Sequence, residues 1–108
     1  MSYTYKMHNN VVIIATVEEN IDASNVADFK KYVYDFIKND ITIVLNMQSL
    51  KFVDSSAIGS LIMFQRELTS KNGTLKLCNI TRSVRALFEL MRLSRVFEIY
   101  NSEEAALA

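Results

Sequence analysis

An aspartate and two serines stand where an apolar run gives way to an amphipathic segment. The run is Ile41–Leu45, and the polar residues that follow it are Asp54, Ser55 and Ser56. A strand that turns into a helix leaves backbone N–H groups without partners, and the helix dipole adds partial positive charge there. The position therefore suits a capping side chain, and it also suits a phosphate. The residue types alone favour capping and leave phosphorylation of one hydroxyl open.

Other catalytic and metal sites find little support in the sequence. Nucleophilic hydrolysis needs a base beside the nucleophile. The single histidine, His8, falls in a predicted hairpin, and no G-x-S-x-G or P-loop motif is present. Cys78 is the one cysteine and has no Cys or His at ligand spacing. We therefore expect no serine hydrolase, no metal site and no P-loop nucleotide cofactor.

Composition and charge indicate one domain over residues 1–108. Half of the chain is hydrophobic, and 12 basic residues balance 12 acidic ones. A neutral chain lacks the basic surface that attracts nucleic acid or anionic membranes. Its apolar runs are shorter than the roughly 20 residues that cross a bilayer, and no signal peptide is visible. We expect a cytoplasmic protein with no nucleic-acid partner and no direct membrane insertion.

Hydrophobic periodicity predicts strands that alternate with helices. A hairpin is expected over residues 3–17, turning at Asn9 and Asn10, which tolerate positive φ. A helix capped by Asp22 or Ser24 follows it and ends at Asn39 and Asp40. The remaining predicted elements are strands at 41–45, 74–78 and 96–100 and helices at 56–70, 82–91 and 105–107. The order β-β-α-β-α-β-α-β-α predicts an α/β fold with a mixed, mostly parallel sheet of about five strands and about four helices.

Functional loops in such sheets gather beyond the carboxyl ends of the strands. The connector 18–22 and the loop 46–56 both lie at that end, so we expect Asp22 and Asp54 to come close together. Asn72 and Gly73 form a stop signal for the preceding helix, and Gly73 is able to take the left-handed conformation there.

Two sets of helical residues have no settled role. The apolar residues Ile58, Ile62 and Met63 widen one helix stripe beyond what a sheet contact needs, so they provide either extra core or a patch for a partner. A later segment carries four arginines, whose placement on a helix face favours a solvated or partner-facing surface over a phosphate site: Arg82, Arg85, Arg92 and Arg95.

The segment 43–59 resembles the signature of STAS domains, most closely that of bacterial anti-sigma factor antagonists. Their pattern D-S-[ST]-G-[LIV]-G corresponds here to 54–59, and the resemblance covers essentially the whole chain. Ile21-Asp22-Ala23 matches the acidic position that follows the second strand in the family. A Gly-Glu pair normally precedes this position in the family. Ala57 replaces a glycine and would be strained if positive φ were required there. Arg92 stands where the family often ends a helix with glycine.

The resemblance implies a phosphorylation switch that catalyses nothing itself. Ser55 would be phosphorylated by a partner that is both a serine kinase and an anti-sigma factor. The unphosphorylated form would bind that partner and free a sigma factor, and a metal-dependent serine/threonine phosphatase would reset the switch. Asp22, Asp54 and Ser56 would shape the loop around the phosphosite. The residues assigned to partner binding are Ala57, Ile58, Ile62 and Met63.

Two other classes of function remain open. One is a non-catalytic STAS adaptor in another signalling or lipid-transport complex. The other is binding of a nucleotide or small ligand at the same loop, which has weaker support. Phosphoserine at Ser55 would favour the switch over the adaptor.

Overall fold

Runs of β-branched and alternating residues form one mixed sheet, seen in a computed structural model that describes residues 3–108. In chain order the elements are β1 (Tyr3–His8), β2 (Val11–Thr16), β3 (Asn20–Ile21), α1 (Val26–Tyr34), β4 (Thr42–Asn46), β5 (Phe52–Val53), α2 (Ser55–Ser70), β6 (Thr74–Cys78), α3 (Arg82–Leu90), β7 (Glu98–Tyr100) and α4 (Glu103–Leu107). The five-stranded sheet has the order β1-β2-β4-β6-β7. Within it, β1 and β2 pair antiparallel, and the other neighbouring strands pair in parallel. The predicted α/β fold is thus confirmed, and so is the order of the helices and of the strands in this sheet, including the hairpin, in which Asn9 has a φ of 56°.

A second, smaller sheet joins β3 and β5 in parallel. The sequence did not predict these strands, because two residues are too few to show a periodicity. They matter because they hold together the two loops that leave the carboxyl ends of β2 and β4.

The core lies mainly between the sheet and the helices α1, α2 and α3. Ile43 and Leu45 of β4 contribute to this larger cluster. Val44 points to the opposite face, where it packs with Cys78 and with Ala106 of α4. Because β4 is covered on both faces, its sequence is an almost continuous apolar run.

Several element boundaries differ from the predictions. The helix α1 ends at Tyr34, so Phe36 lies beyond it and packs its ring at 4.9 Å from that of Tyr5. Asn25, rather than Asp22 or Ser24, is the N-cap residue of α1. The last sheet strand begins at Glu98 instead of residue 96. Tertiary contacts set these ends, and local periodicity does not contain them.

The turn after α2 also differs from the prediction. Asn72 adopts the left-handed conformation with φ 62°, and Gly73 does not. The N–H of Gly73 donates to the carbonyl of Leu68 at 2.7 Å, and that of Asn72 to Thr69 at 3.2 Å. These two bonds form a Schellman motif, in which the left-handed residue comes one position before Gly73.

The longest helix, α2, has 16 residues. No helix within residues 3–108 combines the length and the apolar character needed to cross a membrane.

Candidate functional site

The short ribbon of β3 and β5 positions the two acidic loops. Ile21 lies beside Val53 in the parallel register, and both side chains are buried. Asp22 and Asp54 follow these anchors, so they leave the ribbon side by side. Oδ2 of Asp54 accepts the backbone N–H of Ala23 at 3.0 Å. The expected proximity of the two aspartates is therefore confirmed.

Asp54 also begins the helix α2. Its backbone is extended, with φ −101° and ψ −175°, and Oδ1 accepts the N–H of Ala57 at 3.0 Å. The same oxygen accepts the hydroxyl of Ser56 at 2.6 Å. One carboxylate thus caps α2 and ties its first turn to the Ala23 loop, as expected for an N-cap aspartate.

The hydroxyls of the two serines differ in their hydrogen bonds. Ser55 is the first residue of α2 and is exposed, and its hydroxyl has no hydrogen-bond partner among residues 3–108. The hydroxyl of Ser56 is already engaged by Asp54. Of the two candidate hydroxyls, only that of Ser55 is free to meet a reagent or a partner.

Hydrogen bonds also set the charge of this site. The Ser56 hydroxyl, followed by the Ala57 N–H, lowers the pKa of Asp54. The hydroxyl and N–H of Ser24 lower the pKa of Asp22 in the same way. Donors that bind a carboxylate stabilise its charged form. Both aspartates are therefore ionised at neutral pH, and Ser55 lies at the edge of a negatively charged surface.

The four residues predicted to bind a partner do not all face solvent. Ala57 and Ile58 are buried at 2% and 3% exposure, which corrects the expectation that their side chains belong to an exposed patch. The helical period carries both positions into the core beside Leu61. Ile62 is half-buried, and Met63 is 43% exposed. Only Ile62 and Met63 therefore present area to a partner.

Ala57 is not strained. It lies inside α2 and is absent from the residues that have positive φ. Its N–H instead forms the capping bond to Asp54, which needs a helical backbone at this position.

Two features of this surface were missed in the sequence. Gly59 lies on the same helix face as Ser55 and Ile62, and a Cβ built there would meet nothing within 4 Å. The spacing 55, 59, 62 could have shown this shared face. Phe52 is 54% exposed just before the acidic loop. The direction of the Phe52 side chain depends on the pairing of β5 with β3, and no local signal predicts that pairing.

The other residues considered for chemistry lie elsewhere. His8 ends β1 at the edge of the sheet opposite to Ser55. Cys78 is buried, and burial raises the pKa of its thiol to about 11. Within the described range 3–108, no three His, Cys, Asp or Glu side chains form a group that could hold a metal ion.

Comparison with known proteins places this geometry in a family. A family model described as the STAS domain matches residues 3–106. The anti-sigma F factor antagonist of Paenibacillus polymyxa is 31% identical over 65 residues, which make up 60% of this chain and 56% of that relative. The matched stretch thus spans a little over half the length of that protein.

Solved structures share the fold over nearly the whole chain. An anti-sigma-factor antagonist (STAS) domain protein from Planctomyces limnophilus superposes with a TM-score of 0.88 at 14% identity, covering 97% of this chain and 94% of its own. The unphosphorylated anti-sigma factor antagonist SpoIIAA superposes at 0.78 and 24% identity, covering 98% and 93%. The phosphorylated Bacillus SpoIIAA superposes at 0.69 and 23%, covering 98% and 96%. Because the family match extends over almost every residue, and the element order agrees with it, this chain belongs to the STAS domain family.

Proposed function

We propose that this protein is an anti-sigma factor antagonist, and that phosphorylation of Ser55 switches off its binding to an anti-sigma factor. The observation that carries the proposal is that the Ser55 hydroxyl, at the start of α2, is exposed and free in the described part of the chain. Asp54 and Ser56 form the cap beside it, and that cap does not use Ser55. The name of the Paenibacillus polymyxa relative supports the same role. The protein would act in the cytoplasm as a binding partner and phosphoacceptor.

In the proposed step, the Ser55 oxygen attacks the terminal phosphorus of a nucleoside triphosphate held by the anti-sigma factor, which is also the kinase. A serine O–P bond forms, and the bond to the departing nucleoside diphosphate breaks. The Asp54 carboxylate already accepts bonds from Ser56, Ala57 and Ala23, so we assign the base that takes the hydroxyl proton to the kinase. A metal-dependent phosphatase resets the switch when water attacks the phosphorus and phosphate leaves.

The added charge would act on the interface and leave the fold intact. A phosphate brings roughly −1.5 to −2 charges. At the first residue of α2 the helix dipole favours this charge. Asp22 and Asp54 are ionised nearby, so the phosphorylated surface becomes strongly negative. A partner surface that fits the neutral hydroxyl would lose both its contact and its electrostatic match.

The partner surface would continue from Ser55 along the exposed face of α2. Gly59 leaves that face flat and open, and Ile62 and Met63 supply apolar area one to two turns further on. Exposed apolar area beside a polar switch residue is typical of a protein-binding site.

The first test is to map phosphate on the protein isolated from its own cells. We expect phosphoserine at Ser55, its loss in Ser55→Ala and its retention in Ser56→Ala. If no growth condition gives phosphoserine at Ser55, the switch is wrong and the adaptor function is favoured.

The second test measures partner binding. A pull-down should retain an anti-sigma factor with the wild type and lose it with Ser55→Asp, while the thermal melt of the variant stays close to that of the wild type. Gly59→Gln should also weaken binding, because it places a side chain on the flat part of the surface. Thr69→Gln, at the far end of α2, is the matched control and should bind normally. A folded Ser55→Asp that binds as tightly as the wild type would refute the proposal.

A further inference from the structure

A cavity of about 400 Å³ lies where the chain leaves α3, away from the Ser55 loop. It is lined by Glu89, Arg92, Ser94 and Arg95. Neither arginine has a carboxylate within 4 Å in the described part of the chain, where the ion pairs are Lys6 with Glu103 and Lys51 with Glu19. Two arginines without an ion pair therefore line one cavity. Arginine recognises oxyanions through parallel N–H donors, so the cavity is suited to an anion.

The charge of the cavity wall favours a carboxylate over a phosphate. Two guanidiniums and the Glu89 carboxylate leave one net positive charge. A carboxylate with a single negative charge matches this balance. A phosphate with roughly −1.5 to −2 charges would leave the occupied cavity with a net negative charge.

The surroundings indicate that the carboxylate belongs to a protein. Three exposed apolar side chains flank this part of the chain: Leu90 is 80% exposed, Met91 45% and Val96 42%. Met and Arg are enriched at protein interfaces, and a free small anion would leave this apolar area uncovered. The occupant that uses both features is an acidic residue next to apolar ones in a partner protein.

The backbone holds Arg92 in place. The N–H of Leu93 donates to the carbonyl of Phe88 at 2.7 Å, and the N–H of Arg92 to Glu89 at 3.1 Å. This Schellman motif fixes Arg92 in the left-handed region with φ 58°. The Cα of Arg92 is therefore set before a ligand arrives, which lowers the entropy cost of binding.

The cavity lies within reach of a partner that binds at Ser55. The side-chain amide of Gln65 in α2 donates to the carbonyl of Val96 at 2.7 Å, which joins α2 to the loop after α3. Gln65 is ten residues after Ser55, or about 15 Å along the helix. A standard interface of about 800 Å² per partner is roughly 30 Å across, so one partner can cover both places.

We propose that the cavity of Arg92 and Arg95 is a second anchor for the protein partner, and that it binds an Asp or Glu side chain of that partner. The identity of the partner rests on the proposed function, whereas the anion chemistry of the cavity does not. The test therefore begins with a defined probe that does not involve Ser55.

The experiment is an NMR titration of the full chain with a capped Leu-Glu-Leu peptide and with its Leu-Gln-Leu counterpart. The Glu peptide should shift the amide signals of residues 92–96 with a Kd on the order of 1–10 mM, and the Gln peptide should bind at least tenfold more weakly. Arg92→Gly keeps the left-handed turn while removing the guanidinium, and it should abolish the shifts, as should Arg95→Gln. Lys38→Gln removes an equal charge elsewhere and should leave them unchanged.

Three outcomes would overturn the proposal: no shift at residues 92–96, equal binding of the two peptides, or tighter binding of inorganic phosphate than of acetate. Ser55→Asp should bind the Glu peptide as the wild type does. If the cavity binds the peptide and the Ser55→Asp variant still binds an anti-sigma factor, only the proposed switch is contradicted. If the cavity does not bind the peptide and Ser55→Asp loses the anti-sigma factor, only the anchor is contradicted.

Discussion

The carboxylate of Asp54 accepts the backbone N–H of Ala23, which precedes it by 31 residues, at 3.0 Å. Its other oxygen caps α2 through the N–H of Ala57. The loop after β3 and the start of α2 are thus held by one side chain. Ser55 directly follows Asp54 and begins α2, so its position depends on that carboxylate.

We expect Asp54→Ala to destabilise the fold because both contacts are lost together. The melting temperature should fall by roughly 4–8 °C, the change expected from the loss of an N-cap in a domain of this size. Ser56→Ala removes only one donor to the same carboxylate and should cause a smaller fall. Thermal melts followed by circular dichroism measure both, and an equal loss in the two variants would contradict the clamping role of Asp54.

The same carboxylate gives stability a pH dependence. Hydrogen bonds from Ser56 and Ala57 lower the pKa of Asp54 from 3.8 in the folded state. Its contribution is therefore fully present above the unfolded-state pKa and is lost as the pH falls through the lower, folded-state pKa. Urea midpoints should be flat from pH 7 to pH 5 and should fall below about pH 4. Asp54→Asn should have a lower midpoint at pH 7 and a shallower fall, and a fall as steep as that of the wild type would argue against this origin.

The two glycines should respond in opposite directions to alanine. A Cβ at Gly73 would lie 2.5 Å from the carbonyl oxygen of Ile41, which is backbone and cannot move aside easily. Gly73→Ala should therefore destabilise by about 1–3 kcal/mol. Gly59 has open space and sits within α2, so Gly59→Ala should stabilise by about 0.5–1 kcal/mol through helix propensity. Urea unfolding of both variants measures the two signs, and the same sign in both would be inconsistent with the structure.

Arg92→Gly should raise stability even though it removes a charged side chain. The left-handed conformation costs a non-glycine residue about 1–2 kcal/mol, and glycine removes this cost. The greater freedom of glycine in the unfolded chain reduces this gain by about 0.4–1 kcal/mol. A net gain of about 0.5–1 kcal/mol is expected in urea unfolding. Asn72→Gly is the control at the other left-handed helix end, and its gain should be smaller because Asn tolerates this region better. A less stable Arg92→Gly would show that the arginine makes a stabilising contact in the folded state.

The sequence predicted the fold where a physical signal was repeated over several residues. The apolar run at β4, the asparagine turn between β1 and β2 and the helical stripe of α2 each identify an element without reference to the others. The order of these elements then required a mostly parallel sheet, which brought Asp22 and Asp54 to one edge. The acidic loop around Ser55 could therefore be predicted from local patterns and topology together.

Other features depend on contacts between distant residues. The pairing of Ile21 with Val53 creates β3 and β5, and no local pattern in either segment predicts it. The burial of Ile58 follows from how α2 lies on the sheet, so its sequence could not distinguish core from partner surface. The cavity lined by Arg92 and Arg95 likewise lies where a Schellman motif turns the chain after α3.

The sequence by itself thus determined the order of the main elements, the capping residues at the start of α2 and the pair of serines at that start. Only the tertiary structure decided which serine hydroxyl is free, which apolar side chains reach solvent and which arginines line a cavity. The physical reason is that periodicity and capping are local properties of a segment. Exposure, hydrogen-bond occupancy and cavity shape, by contrast, are set by residues far apart in the chain.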